Sequence, residues 1–144
     1  MIPDRSFLSG AVVLFLVLLS LVVPSGVFAQ SAAPAVADFA FVVRTSANSI
    51  NLTCTTGCAW KTLSFSARVD GAPQAVDQNG MVRNRGKGSE EQPGLANFLF
   101  TIQRTADGVK LQGKRGSAWN SLSFSCPTGR CEQAVDRYGM AEAR

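Results

Sequence analysis

The sequence predicts an all-β protein. Two tandem antiparallel β-repeats pack with pseudo-twofold symmetry as a small sandwich or barrel, after an N-terminal signal helix. Three observations carry that expectation. Residues Phe39 to Met81 lie on Phe98 to Met140 at a constant offset of 59 positions without a gap, and 17 of the 43 positions are identical. Apolar residues inside each copy alternate with period two. Outside the first segment, no window sustains a helical period. A repeat of this length is one supersecondary unit written twice, each copy too small to bury its own apolar face.

The first element is an address. Phe7 to Val23 is a mostly apolar run, followed by Pro24, Ser25 and Gly26, and Val27-Phe28-Ala29 sets small or modest residues for cleavage after Ala29. That layout predicts a secretory signal peptide over residues 1–29. The alternative is an uncleaved anchor at residues 7–23, a run slightly short for the ~20 residues of a spanning helix. The expected location is therefore extracytoplasmic, secreted or periplasmic, with membrane contact only through an uncleaved N-terminal segment. Removing residues 1–29 leaves about 115 residues, enough for one core. A flexible lead-in (residues 30–38) precedes β-repeat 1 (residues 39–81). A linker (residues 82–97), β-repeat 2 (residues 98–140) and a short tail (residues 141–144) follow, the two repeats forming one domain.

Each copy begins with a strand whose Phe39, Phe41 and Val43, or Phe98, Phe100 and Ile102, share a face. A turn follows at Ala47-Asn48-Ser49 and at Ala106-Asp107-Gly108, where Asn, Asp and Gly accept unusual backbone angles. Ile50 and Leu52, like Val109 and Leu111, then resume the alternation and complete a hairpin. Beyond a Gly-x-Ala-Trp corner comes a third strand. Leu63 and Phe65 (Leu122 and Phe124) face one way, and Thr62, Ser64 and Ser66 (Ser121, Ser123 and Ser125) face the other, as in a half-solvated antiparallel sheet. The segment Gln74-Ala-Val-Asp-x-x-Gly-Met81, repeated at Gln133 to Met140, reads as one helical turn or as a tight bend into a short strand, with Gly80 and Gly139 at the bend. The total is six to eight short strands, closed face to face.

Four cysteines in an exported chain of this size predict two disulfides. Cys54 and Cys58 stand opposite Gly113 and Ser117, while Cys126 and Cys131 stand opposite Ala67 and Ala72, so each copy holds one pair and lacks the other. Local bridges, Cys54 to Cys58 and Cys126 to Cys131, leave no thiol stranded and enclose glycine-containing turns. Bridges between the copies are the other arrangement that a pseudo-twofold permits. The C-x3-C and C-x4-C spacings fit neither zinc knuckles nor a redox-active pair.

The chain contains no histidine, which excludes Ser-His-Asp and Cys-His nucleophiles and histidine-bound metals. No phosphate-cradling glycine loop is present, and no cofactor or metal is predicted. The net charge of +4 is spread along the chain, without the basic stripe of a nucleic-acid binder; the one basic cluster, Arg83 to Lys87, runs into Glu90-Glu91 and reads as solvated linker. Asp77 and Asp136 are the carboxylates that the repeat presents symmetrically. They would serve hydrolysis only if set about 5–9.5 Å apart across a cleft, and an Asp just ahead of a Gly more often forms a turn. Trp60 and Trp119 are either core residues or flat platforms for a carbohydrate or protein ligand. Asn51-Leu52-Thr53 matches a glycosylation acceptor, which matters only in a host that performs that modification. The reading is a binding or structural module, with a hydrolase using Asp77 and Asp136 as the alternative.

The combined pattern Phe-x-Phe…Gly-x-Ala-Trp-x-x-Leu-Ser-Phe…Gln-Ala-Val-Asp-x-x-Gly-Met resembles small exported bacterial proteins that carry one copy of a Gly-Cys-Ala-Trp-x-x-Leu-Ser-Phe module. The likeness covers both repeats; the second departs from it at Ser117, where the first has Cys58. The resemblance implies a secreted β-module of no assigned activity and carries over no functional residue.

Overall fold

The alternation through Phe41, Val43 and Thr45 turns one side of strand β1 (Ala40–Thr45) inward and leaves Arg44 in solvent. β2 (Ser49–Thr56) and β3 (Thr62–Ser66) follow the same period, then β4 (Gln74–Asp77) and β5 (Gly80–Val82). The second half repeats the series as β6 (Leu99–Arg104), β7 (Gly108–Arg115), β8 (Ser121–Ser125), β9 (Cys131–Asp136) and β10 (Gly139–Ala141). β1, β2 and β3 begin and end 59 positions before β6, β7 and β8. The computed structural model describes residues 35–83 and 86–142. The expected signal peptide (residues 1–29), residues 30–34 of the lead-in, two linker positions and the last two residues of the tail lie outside them.

The strands make two five-stranded antiparallel sheets packed as a small sandwich, and no helix occurs among the described residues. The Gln-Ala-Val-Asp-x-x-Gly-Met segment is a complete β-hairpin, so each half contributes five strands rather than three or four. That hairpin does not join its own half. The first sheet runs β10-β9-β1-β2-β3 and the second β5-β4-β6-β7-β8. Each sheet therefore holds three strands from one half and the closing hairpin of the other. β1 pairs with β9 in the register Ala40↔Asp136 to Thr45↔Cys131, and β4 pairs with β6 from Gln74↔Ile102 to Asp77↔Leu99. The physical need is simple. Once β2 covers one edge of β1, the other edge still presents backbone N–H and C=O groups that must be paired.

The core lies between the sheets and is built on four phenylalanines. Phe41 stacks on Phe100 with ring centroids 4.8 Å apart and planes 7° from parallel, and Phe39 meets Phe98 at 4.6 Å. Each ring thus touches its own counterpart 59 positions away, the contact pattern that a twofold axis produces. Val43, Ile50, Leu52, Val76, Ile102, Val109, Leu111 and Val135 complete the buried cluster, with Trp60 and Trp119 at its margin. Leu63, Phe65, Leu122 and Phe124 of the edge strands pack against it partly exposed.

Charged side chains reinforce the borrowed strands. Arg44 of β1 donates from Nε to Glu132 of β9 at 2.7 Å. That hydrogen bond holds the Glu132 carboxyl below the ordinary carboxylate range and raises Arg44. Both groups are exposed, so the pair sets register more than it stabilises. Arg104 of the second sheet is buried; its Nη1 reaches Ser46 O and Ala47 O (2.6 Å) in the β1–β2 turn of the first.

Three outcomes follow from this packing. Phe41→Ala or Phe100→Ala should each lose about 3–5 kcal/mol of unfolding free energy in a urea titration, and the double variant should lose less than the sum, because the rings face each other. Residues 35–83 alone should not fold as a monomer. Their hairpin belongs to another sheet, so sedimentation should show either an unfolded chain or a pair of chains exchanging hairpins. A folded monomer would contradict the topology. Glu132→Gln should bring a small loss at neutral pH. The lowered folded-state pKa of Glu132 makes the pair's contribution present above the unfolded value and lost as pH falls through the folded one, so the difference should close in acid.

Candidate functional site

The repeated Gln-Ala-Val-Asp-x-x-Gly signature proves to be a set of hairpin parts. Asp opens and Gly closes a four-residue turn. Asp136 Oδ1 accepts the backbone N–H of Tyr138 (2.7 Å) and of Gly139 (3.1 Å), and Asp77 Oδ1 accepts those of Asn79 (2.8 Å) and Gly80 (3.2 Å). Gly80 and Gly139 sit at φ 132° and 137°, angles that a side chain would resist. At the open end, Gln74 Nε2 donates across the hairpin to Val82 O and Gln133 Nε2 to Ala141 O, both at 3.0 Å.

The tryptophans tie the glycine corners to these turns. Trp60 Nε1 donates to Asp77 O at 2.9 Å and Trp119 Nε1 to Asp136 O at 2.8 Å. Ala59 N and Ala118 N add bonds to Gln78 O and Arg137 O. The corners are tight: Gly57 and Gly116 have φ of 86° and 77°, and a Cβ at either would strike Asp38 O or Asn97 O. Only 9% of Trp60 and 7% of Trp119 is exposed. Of the two positions the sequence left open, the burial fits the core: both rings belong to the buried cluster, and each indole N–H is taken by a backbone carbonyl.

The carboxylates do not converge. Asp77 is fully buried in the second sheet, and Asp136 lies half-buried in the first. Asp77 lines none of the described clefts, whereas Asp136 lines one. Each is held by its own turn, so the hydrolytic pair that the symmetry suggested has no shared cleft. Among the described residues no cluster of three or more His, Cys, Asp or Glu side chains could hold a metal ion.

Both disulfides are local. Cys54–Cys58 clasps the first glycine corner, with Cα atoms 6.3 Å apart, and Cys126–Cys131 closes the β8–β9 crossover, at 5.5 Å. Where the second corner lacks the bridge, a Cβ at Gly113 would strike Ser117 Oγ, which instead donates to Trp119 O at 2.9 Å. The crossover bridge leans on Thr45 Oγ1, 3.1 Å from Cys126 Sγ and 3.2 Å from Cys131 Sγ.

Two open clefts of about 670 Å3 remain. One lies between the glycine corners, bordered by Ala37, Gly57, Asn97 and Gly116. The other is a groove on the outer face of the first sheet, floored by Ala40, Val42 and Ala134, with Thr55, Asp136, Ala141 and Glu142 around it. Ala40 and Val42 sit at the outward parity of β1, where a solvated strand would carry polar residues; small apolar side chains on both parities were the signal available in the sequence. The equivalent outer face of the second sheet is covered. Its Ala75, Asp77, Leu99 and Thr101 are buried, whereas their counterparts Ala134, Asp136, Ala40 and Val42 are only half-buried. The serine-rich faces of β3 and β8 are exposed.

Comparison with protein-family models, with curated proteins and with solved structures gives no match.

Asp77→Ala should destabilise more than Asp136→Ala. The first strands three backbone N–H donors, those of Asn79, Gly80 and Ser89, around a fully buried carboxylate; the second strands two around a half-buried one. The expected costs are several kcal/mol and about 1–2 kcal/mol, read from denaturant midpoints. Replacing either cysteine pair with alanine should cost about 2 kcal/mol, the loop-entropy value for so short a ring.

Proposed function

We propose that the chain is an exported, disulfide-stabilised β-repeat module that acts through a surface, by binding or by structural association, rather than through chemistry. The observation that carries this reading is the placement of the repeated polar residues. Asp77 and Asp136 close turns, Gln74 and Gln133 brace hairpins, and the tryptophan N–H groups hold those turns against the core. The groups that chemistry would use are committed to holding the sandwich, and among the described residues nothing covers the groove on the outer face of the first sheet. The two bridges support an oxidising, extracytoplasmic location, where disulfides form and persist. The apolar run ahead of Ala29 supports export, as does the resemblance to small exported bacterial proteins with one copy of the same module. The second reading, a hydrolase, has no observation in its favour beyond the symmetric recurrence of the two aspartates.

A non-reducing peptide map with N-terminal sequencing of the protein from its native host tests the proposal. The expected result is a chain beginning at Gln30, recovered outside the cytoplasm, with Cys54 linked to Cys58 and Cys126 to Cys131. Recovery from the membrane with Met1 and residues 7–23 intact would favour an anchored form, and reduced cysteines in a cytoplasmic protein would overturn export altogether.

A further inference from the structure

The second sheet shows what its outer face takes. Linker residues Lys87 to Glu90 lie across it. Ser89 N–H donates to Asp77 Oδ2, Gln78 Nε2 donates to Glu90 O at 2.9 Å, and Arg115 grips Lys87 O at 2.7 Å and Ser89 O at 3.1 Å. Gly88 passes so close that a Cβ there would stand 3.3 Å from Asp77 Oδ2 and 3.4 Å from Leu99. A short stretch of chain thus covers this face with one backbone N–H on an aspartate and its carbonyls on long side chains.

The first sheet has the same seat with nothing described upon it. Fifty-nine positions after Asp77, Asp136 uses Oδ1 for its turn, and no donor among the described residues reaches Oδ2. Arg137 stands where Gln78 stands, paired with the exposed carboxylate of Asp38 at 3.1 Å. A guanidinium carries five N–H donors, so that pairing leaves others for a carbonyl. Arg137 adds a positive charge where Gln78 is neutral, but Thr56 replaces Arg115 and Glu142 replaces Arg83, so this face carries two carboxylates, Asp136 and Glu142, and one arginine paired with Asp38, where the other face carries one carboxylate and two arginines. Its floor is Ala40, Val42 and Ala134, all small apolar side chains.

We propose that this groove binds an extended peptide of small residues through its free amino terminus, the α-ammonium group sitting on Asp136 Oδ2 where Ser89 N–H sits on Asp77. The carbonyl of the peptide's second residue takes a donor from Arg137, as Glu90 O does from Gln78. Glu142 adds attraction for the cation, Arg137 is already paired with Asp38, and Thr56 stands where the other face has Arg115. This names the ligand class for the binding-module reading and rests on that reading.

The test uses the folded, disulfide-intact protein and the tetrapeptide amide Ser-Ser-Ala-Pro, with its amino terminus free or acetylated. Backbone amide shifts are followed by NMR to millimolar peptide. Saturable shifts confined to Ala40, Val42, Ala134, Asp136 and Ala141 are expected. Acetylation should weaken binding about tenfold or more, because it removes the charge-assisted bond. Asp136→Asn, whose amide oxygen can still close the turn, should weaken the free-amine peptide to the level of the acetylated one. Ala134→Leu, which fills the floor, should abolish both. Equal affinity for the two peptides, no saturable shift, or shifts located at the corner cleft would overturn the proposal. So would groove shifts that depend on protein concentration alone, since sedimentation would then assign the surface to a second copy. Export and disulfide pairing are read by the peptide map, so failure here leaves that part of the functional reading standing.

Discussion

Four phenylalanine rings meeting their own counterparts are the contact on which the sandwich depends. Each ring is buried to at least 99%, and burial of one such side chain is worth about 1.5–3 kcal/mol before any stacking term. Because Phe41 and Phe100 lie on β1 and β6, and Phe39 and Phe98 immediately precede them, the two sheets are brought face to face at their central strands. Everything else attaches to that seam. β2 and β7 cover one edge of the central pair, the hairpins cover the other, and the tryptophan corners seal the margin. Self-contact of this kind also explains why the phenylalanines are identical in the two copies. A change in one ring alters the surface that its counterpart must match.

Away from the axis the copies have diverged, each difference traceable to a local task. The first corner is held by Cys54–Cys58; in the second, Gly113 yields space to Ser117 and a hydroxyl replaces the bridge. The second crossover is closed by Cys126–Cys131, and the first, with Ala67 and Ala72, relies on backbone bonds such as Asp70 N to Arg104 O. Arg115 and Gln78 hold the linker on one outer face, and no equivalent clamp is present among the described residues of the other. The interior is therefore symmetric and the exterior is not, and a specific surface can arise on such a scaffold without disturbing its core.

Much of this was legible in the residues. The offset of 59 positions related β6, β7 and β8 to β1, β2 and β3, and the parity of Phe39, Phe41 and Val43 gave the inward face correctly. The cysteines standing opposite Gly113, Ser117, Ala67 and Ala72 favoured the bridges that the structure contains. The exchange of hairpins was not legible, since Gln-Ala-Val-Asp pairs equally well in principle with either central strand, and only the three-dimensional path of the crossover chooses. The tryptophans were ambiguous for a related reason: whether an indole beside a glycine corner points in or out depends on an acceptor 17 residues away. The groove was the faintest feature. Its floor is Ala40 and Val42, residues that attract no notice until the alternation of β1 is seen to be apolar on both sides.

The borrowed hairpins also govern the order in which the chain can complete itself. β1 lies near the front of the chain, yet one of its edges is finished only by β9, and the Arg44–Glu132 link spans 88 residues. Pairings this remote make folding slow, because the loop must close before any contact repays it. A polypeptide emerging from a ribosome or a translocation channel would have β1, β2 and β3 in place while one edge of β1 stayed bare. Native closure of the first sheet has to wait until β9 has emerged, 88 residues after Arg44 in the case of Glu132.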